Sequence, residues 1–247
     1  MNVIFSGHRA LILGGACELA LTLAEYMIKS SLYPILTYRN EHGLNSIHTT
    51  LQSFEGKYDA RPLIFGDRDS LNSLFLNIGN DLDYLVDFAQ GNYESLVASA
   101  DEGCVYRYFT ENVSFRAEVL KLAGRTMLKK RRGRLIFISS SAAARTNPGQ
   151  GFYAAAKLAS EALYRSLGLE LGGRGVTTAI LRPGYVDAGR GRTYLQGQGR
   201  DAIEIIPIKR AIRKEEIAET ILFLLSDSAT GINATEISMD GGLTSGK

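Results

Sequence analysis

Several things are scarce in this chain, and each scarcity removes a class of protein. Only two cysteines and five prolines occur among its 247 residues. Cys17 and Cys104 stand far apart and match neither a metal-ligand nor a disulfide spacing, which suits a reducing compartment. No apolar run approaches the ~20 residues that cross a bilayer. The opening MNVIFSGHRALILGG has no charged leader ahead of an apolar core and no A-x-A site. No secretory signal is therefore expected, and the cytoplasm is the expected location. Charge of one sign is lacking too: 28 Lys and Arg face 26 Asp and Glu, a net +2. Nothing global calls for nucleic acid or a membrane surface, so a basic patch has to be argued locally. Repeats, low-complexity tracts and Pro- or Ser-rich linkers are missing, and residues 1–247 are expected to form one domain.

What is present is an ordinary globular balance, with 45% hydrophobic and 22% charged residues. At this length the chain can bury a sizeable core. Short apolar runs alternate with longer helical patterns. Strands are predicted at 10–13, 34–38, 60–65, 83–89, 134–139, 176–181 and 235–239. Helices are predicted at 19–30, 70–79 and 105–130, and from the Tyr153 region to about 172. The strands are apolar on both faces, as in a parallel sheet covered on both sides. The fold class is therefore α/β: a single-domain, Rossmann-type, doubly wound parallel sheet of about seven strands with helices on both faces. Segment 188–206, rich in Gly and Arg, is the least regular and is expected to be a substrate lid.

One stretch carries chemistry. From Gly133 to Lys157 the chain reads GRLIFISSSAAARTNPGQGFYAAAK: an apolar strand, three serines, a Pro-Gly loop, then an Ala-rich helix. Tyr153 and Lys157 are four residues apart, hence on one helix face. A nearby ammonium stabilises a phenolate, which brings a phenol into range as a general acid or base. Ser140, leaving the strand, can donate to a carbonyl oxygen as charge develops there.

The turn after the first strand holds Gly14 and Gly15, then Glu18 and Ala20 where a dinucleotide fingerprint would place further glycines. It reads equally as a cofactor turn or as a strand-to-helix turn without a ligand. Arg39 at the tip of the second strand suits a ribose 2′-phosphate, or is a solvated surface arginine. Asp67 after the third strand could accept from an adenine amino group, or cap a helix.

Taken together, these residues resemble the short-chain dehydrogenase/reductase family, and most of all its 3-oxoacyl-[acyl-carrier-protein] reductase branch. The stretch from Met127 to Lys157 carries the likeness, with Arg182-Pro183-Gly184-Tyr185-Val186 as the family's P-G motif. Further likeness lies in the segment from Ile217 to Phe223 and in Ile237 to Gly242. The family's serine lies thirteen residues before its tyrosine, which selects Ser140 over Ser139 and Ser141. Asn112, in TENVSF, stands where the family's asparagine anchors a water in a proton relay to the lysine.

The resemblance implies NADPH-dependent reduction of a ketone, with Asn112, Ser140, Tyr153 and Lys157 catalytic and no metal. Tyr153 would protonate the alkoxide, and Lys157 would lower the tyrosine's pKa and hold the nicotinamide ribose. The cofactor would lie along Gly14, Leu19, Arg39, Asp67, Ala89, Tyr153, Lys157, Pro183, Gly184 and Val186.

The substrate would be a 3-oxoacyl thioester on acyl carrier protein (or CoA), in fatty-acid or polyketide-like synthesis. In the basic cluster of Lys129, Lys130, Arg131, Arg132 and Arg134, the resemblance gives Arg131, with Arg174, the docking of an acidic carrier protein at the site entrance. Cations at helix ends are also ordinary on solvated faces. Arg190, Arg192 and Arg200 could meet a phosphopantetheine phosphate, or be solvated. The family's assembly is usually a homotetramer.

The departures fall on the cofactor side. Glu18 and Ala20 replace two family glycines, Leu13 the threonine, Asp87-Phe88-Ala89-Gln90 the N-N-A-G motif, and Ala188 the threonine after the P-G motif. Two alternatives remain: a dehydrogenase or reductase of another alcohol/ketone pair, and a non-catalytic subunit of a hetero-oligomer.

Overall fold

The computed structural model describes residues 3–197 and 199–245. Seven strands form one sheet in the order β3-β2-β1-β4-β5-β6-β7. They are β1 (Arg9–Leu13), β2 (Tyr33–Tyr38), β3 (Asp59–Pro62), β4 (Tyr84–Asp87), β5 (Gly133–Ile138), β6 (Val176–Pro183) and β7 (Thr235–Met239). Every neighbouring pair is parallel. The helices are α1 (Glu18–Lys29), α2 (Glu41–Thr50), α3 (Arg68–Ile78), α4 (Glu102–Phe109), α5 (Phe115–Lys130), α6 (Gly151–Leu171), α7 (Gly189–Gln196), α8 (Ala202–Ile205) and α9 (Lys214–Leu225).

Alternation along each strand feeds two cores. In β1, Ala10 and Ile12 pack with Leu23 and Met27 of α1 and Ile221 and Leu225 of α9. Leu11 and Leu13 face the other way, onto Val119 and Ala123 of α5 and Tyr164 of α6. All of these side chains are fully buried, and each large one contributes about 1.5–3 kcal/mol. The strand order reverses between β1 and β4, which opens a crevice at the carboxyl ends of the strands.

Three boundaries differ from the sequence pattern, each for a local reason. The third strand stops at Pro62 instead of running to 65, because the chain turns through Gly66 (φ 95°) and Asp67 caps α3. The fourth spans only Tyr84–Asp87, since Ala89 donates back to Asp87 Oδ1 at 2.9 Å and leaves the ladder. The long helix expected at 105–130 is two helices joined by a widened π-turn, Thr110–Ser114, which carries Asn112. Helix α2 escaped the sequence reading because it buries only Gly43 and Ile47, too few to mark an apolar stripe. Segment 188–206 contains α7 and α8, and its Gln198 lies outside the described residues.

Candidate active site

Strand β5 delivers three consecutive serines to the carboxyl edge, and the pleat separates them. Ser139 is buried and its hydroxyl donates to Glu161 on α6. Ser140, on the opposite side, is half-buried, and its Oγ accepts from Ala142 N at 3.1 Å. The loop of Pro148 and Gly149 (φ 83°) then returns the chain to start α6 at Gly151. Tyr153 and Lys157 lie one turn apart on α6, with the Lys157 ammonium 5.7 Å from the Tyr153 ring centre.

Lys157 is buried at 3% exposure and donates to the Ile138 carbonyl at 2.6 Å. Burial, and then the positive charge of Arg116, hold its ammonium down to about 7. Burial pushes the Tyr153 phenol up, while a hydrogen bond with Ser140 pulls it the other way. The resemblance has Lys157 lower the tyrosine. In this fold burial prevails over the hydrogen bond with Ser140 and the cations Arg190 and Arg116, so the phenol stands above its ordinary value. Asn112 comes to the same corner at 2% exposure, but its groups are engaged elsewhere. Its Oδ1 accepts from Gly91 N at 2.7 Å, its Nδ2 donates to Tyr108 O at 2.8 Å, and its backbone carbonyl accepts from Arg116. Tyr93 packs at a tilt against Tyr108 (5.8 Å) and Phe152 (5.5 Å), walling the site with aromatics.

On the other side of the crevice, Gly14 has φ 69°, and a Cβ there would sit 3.0 Å from the Ala89 backbone, so the β1 turn rests on the exit of β4. Leu19 and Ala89 are half-buried beside this turn. Pro183 and Gly184 leave β6 against β7; Gly184 donates to Met239 O at 3.1 Å, and a Cβ on it would lie 2.9 Å from Asp240 Cα. Val186 bridges to Ile212. Arg39 is exposed at the end of β2, with no ion-pair partner among the described residues. Asp67 uses its carboxylate to cap α3, accepting from Asp69 N at 2.9 Å and Ser70 N at 3.2 Å.

Glu18 had no assigned role from sequence. It accepts from Gly189 N at 3.0 Å, from Arg192 at 2.9 and 3.2 Å, and from Lys214 at 3.1 Å. Burial alone would raise this carboxyl, but those donors outweigh it and hold it at about 2. The first turn of α1 is thus tied to the start of α7 by an ion cluster. Arg190 donates to Asn92 at 2.9 Å and Arg200 to Gln196 O at 3.1 Å, while Tyr194 stacks on Tyr185 at 5.6 Å.

The basic cluster lies elsewhere. Arg131 precedes β5 and Arg174 precedes β6, so both stand at the amino edge of the sheet. The six residues of β5, roughly 20 Å, separate that edge from Ser140. Within one chain, therefore, Arg131 and Arg174 do not flank the site entrance. Lys130 and Arg132 pair with Asp83 at 2.6 and 2.8 Å, and Lys129 donates to Asn80 at 2.8 Å. Ion pairing at the strand entrances accounts for two of the five cations in that run.

Sequence reasoning missed Arg116 and Ser160. A charged Asp87 ending an apolar strand, and an arginine four residues after Asn112, were the available signals.

A family described as Enoyl-(Acyl carrier protein) reductase matches residues 16–244. The chain is 29% identical over 240 residues to the 3-oxoacyl-[acyl-carrier-protein] reductase FabG of Haemophilus influenzae, covering 96% of this chain and 98% of that one. It is 28% identical over 242 residues to the protein of the same name from Escherichia coli, covering 97% and 98%. A solved short chain dehydrogenase/reductase family protein superposes with TM-score 0.87 at 25% identity, over 100% of both chains. A short-chain type dehydrogenase/reductase from Mycobacterium ulcerans shares the fold with TM-score 0.88, covering 98% of this chain and 91% of its own. The chain belongs to the short-chain dehydrogenase/reductase family, and its similarity is to the 3-oxoacyl-[acyl-carrier-protein] reductases in particular.

Proposed function

We propose that this protein is an NADPH-dependent ketoreductase that reduces a 3-oxoacyl thioester presented on acyl carrier protein, in fatty-acid or polyketide-like synthesis. The carrying observation is the convergence of Ser140, Tyr153 and buried Lys157 at the carboxyl edge of β5, where a carbonyl could be both oriented and protonated. Near full-length likeness to carrier-protein reductases supports the substrate class.

Two observations support a dinucleotide. Gly189 N–H, Arg192 and Lys214 converge over the first turn of α1 on a carboxylate, the donor set a diphosphate needs. The Gln90 side-chain oxygen, at the exit of β4, is buried without a partner among the described residues. Gly14, Leu19, Arg39, Asp67, Ala89, Pro183, Gly184 and Val186, with Tyr153 and Lys157, would hold the cofactor, Arg39 supplying the preference for a 2′-phosphate. The nicotinamide, when bound, supplies hydride to the carbonyl carbon. Ser140 donates a hydrogen bond to the carbonyl oxygen, and Tyr153 transfers its phenolic proton to that oxygen as the alcohol forms. Lys157 then stabilises the phenolate.

Exposed Leu158 (44%) and Leu169 (72%) lie about three turns apart on one face of α6 and support helix-to-helix assembly into a homotetramer. A second reading, a subunit without turnover beside an active paralogue, is favoured by one observation: Glu18 already occupies the anion donors.

Titration with NADPH and NADH, followed by nicotinamide fluorescence in a chain that has no tryptophan, separates these readings. The expected outcome is saturable binding with NADPH preferred. No binding at millimolar cofactor would sink the enzyme reading and leave the second. With binding in hand, Tyr153→Phe is expected to lower ketone reduction by about 10³-fold while cofactor affinity holds. Retained turnover would remove the tyrosine from its role.

A further inference from the structure

Behind the serines that leave β5 lies a buried acid. Glu161 on α6 is 1% exposed. Its Oε1 accepts from the Ser139 hydroxyl and from Arg182 Nε at 2.8 Å, and its Oε2 accepts from Arg182 Nη2. Arg182, on β6, also pairs with Glu236 of β7 at 3.1 Å, and Glu236 pairs with Arg165, one turn beyond Glu161 on α6. A chain of alternating charges therefore runs from the exit of β5 across β6 to β7 and returns to α6. Breaking a buried pair of this kind is costly, yet the pair adds little net stability over well-packed apolar side chains of the same volume. Stability alone does not explain its place.

Its position on α6 does. Tyr153, Lys157 and Glu161 follow at four-residue steps and line one helix face. They meet three consecutive residues at the strand exit. Lys157 donates to the Ile138 carbonyl at 2.6 Å, Glu161 accepts from the Ser139 hydroxyl, and the Tyr153 phenol shares a hydrogen bond with Ser140. Apolar packing cannot set this register. Before Tyr164, the fully buried face of α6 holds only Ala154, Ala156 and Ser160 besides Lys157 and Glu161. Side chains this short let a helix approach a sheet closely but give it little to interlock with. Lys157 bonds a backbone carbonyl, which every residue offers, so it leaves the register open. The bond to Glu161 selects a side chain. It also takes the single Ser139 proton, whereas Ser140 Oγ accepts from Ala142 N and keeps its own proton to donate.

We propose that Glu161, fixed by Arg182, is a positioning residue: by holding the Ser139 hydroxyl it sets the register of the β5 exit against the first turns of α6, and through it the placement of Ser140 against Tyr153. The role in turnover rests on the reductase reading; the register itself does not.

Two single substitutions test this, and neither leaves an unpaired buried charge. Ser139→Ala removes the donor. Glu161→Leu removes the acceptor, and Arg182 keeps Glu236 as its counter-ion. In the cofactor-free protein, hydrogen exchange followed by mass spectrometry is expected to quicken by about tenfold over residues 139–157 in both variants, with β1 and β2 unchanged. In turnover of a 3-oxoacyl thioester, each variant is expected to lower kcat by about tenfold with KM changed less than about twofold. The double variant Ser139→Ala/Glu161→Leu is expected to lose no more than either single one, because both break the same contact. In a Ser140→Ala background, Ser139→Ala is expected to cost less than about a further twofold, since the serine it positions is gone.

Unchanged exchange over 139–157 overturns the proposal whether or not the protein reduces ketones. Exchange quickened evenly along the whole chain, an unchanged kcat, or losses that multiply in the Ser140→Ala background assign the contact a purely structural role and overturn it too. If Glu161→Leu does not fold, Ser139→Ala decides the question by the same readouts. If neither folds, the contact is a requirement of folding and the positioning role is rejected. Locally quickened exchange in the variants, with no ketone turnover in wild type, supports the register and rejects the reductase reading instead.

Discussion

The two walls of the crevice solve their problems differently. At the β5–α6 wall, Ser140 stands just past the end of β5 and Tyr153 and Lys157 share one face of α6, so a strand exit and one helix turn place the proposed serine, phenol and ammonium. At the β1–α1 wall, two of the glycines that usually admit a diphosphate are replaced by Glu18 and Ala20, and the gap is closed by an ion cluster reaching from α1 to α7 and α9. On the proposed reading, the proton-transfer wall is kept while the anion wall is rebuilt. The first depends on a strand exit and one helix turn. The second depends on side chains from distant elements that can exchange partners.

That contrast can be broken or sharpened by substitution. Ser140→Ala is expected to lower kcat by about 10²-fold with the NADPH dissociation constant unchanged, since it removes one donor to the developing oxyanion. A change in cofactor affinity of similar size would mean that the two walls are not separable. Glu18→Ala is expected to tighten NADPH binding by about tenfold, roughly 1.4 kcal/mol, because Gly189 N–H, Arg192 and Lys214 lose their internal anion. Weaker binding in that variant, read by nicotinamide fluorescence, would show that Glu18 supports the turn more than it competes for the donors. The smallest effect is expected from Arg131→Glu/Arg174→Glu, below about twofold in the ratio of turnover on carrier-bound and small thioesters, since screened charges at the far edge act weakly over such distances. A larger selective loss would mean that a neighbouring subunit brings this edge to the entrance.

Much of this was legible in the linear chain, for identifiable reasons. Alternating apolar runs such as ALIL and RLIFI bury both faces, so they announced a parallel sheet covered on two sides. Tyr153 and Lys157 were legible because a four-residue spacing on a helix has one geometric meaning. Asp67 was legible only as a choice between two roles: its Oδ1 caps the start of α3, and its contact with the cofactor stands as a proposal. Helix α2 was not legible, because a surface helix with two buried residues carries no periodic signal.

The sequence by itself determined the layer architecture, the order of strand and helix along the chain, and the shared helix face of Tyr153 and Lys157, because these follow from short-range periodicity and turn chemistry; Ser140 was chosen among its neighbours by the family resemblance alone. Only the tertiary structure decided what the charges do. Glu18 meets Arg192 and Lys214 across more than 170 residues of chain, Arg116 meets Asp87 across a helix and a strand exit, and Arg131 stands a full strand length away from the serine it was expected to accompany. Long-range electrostatics leave no periodic trace in a sequence. The energy of a charge depends on which partners and how much water surround it, and those are known only once distant segments are brought together.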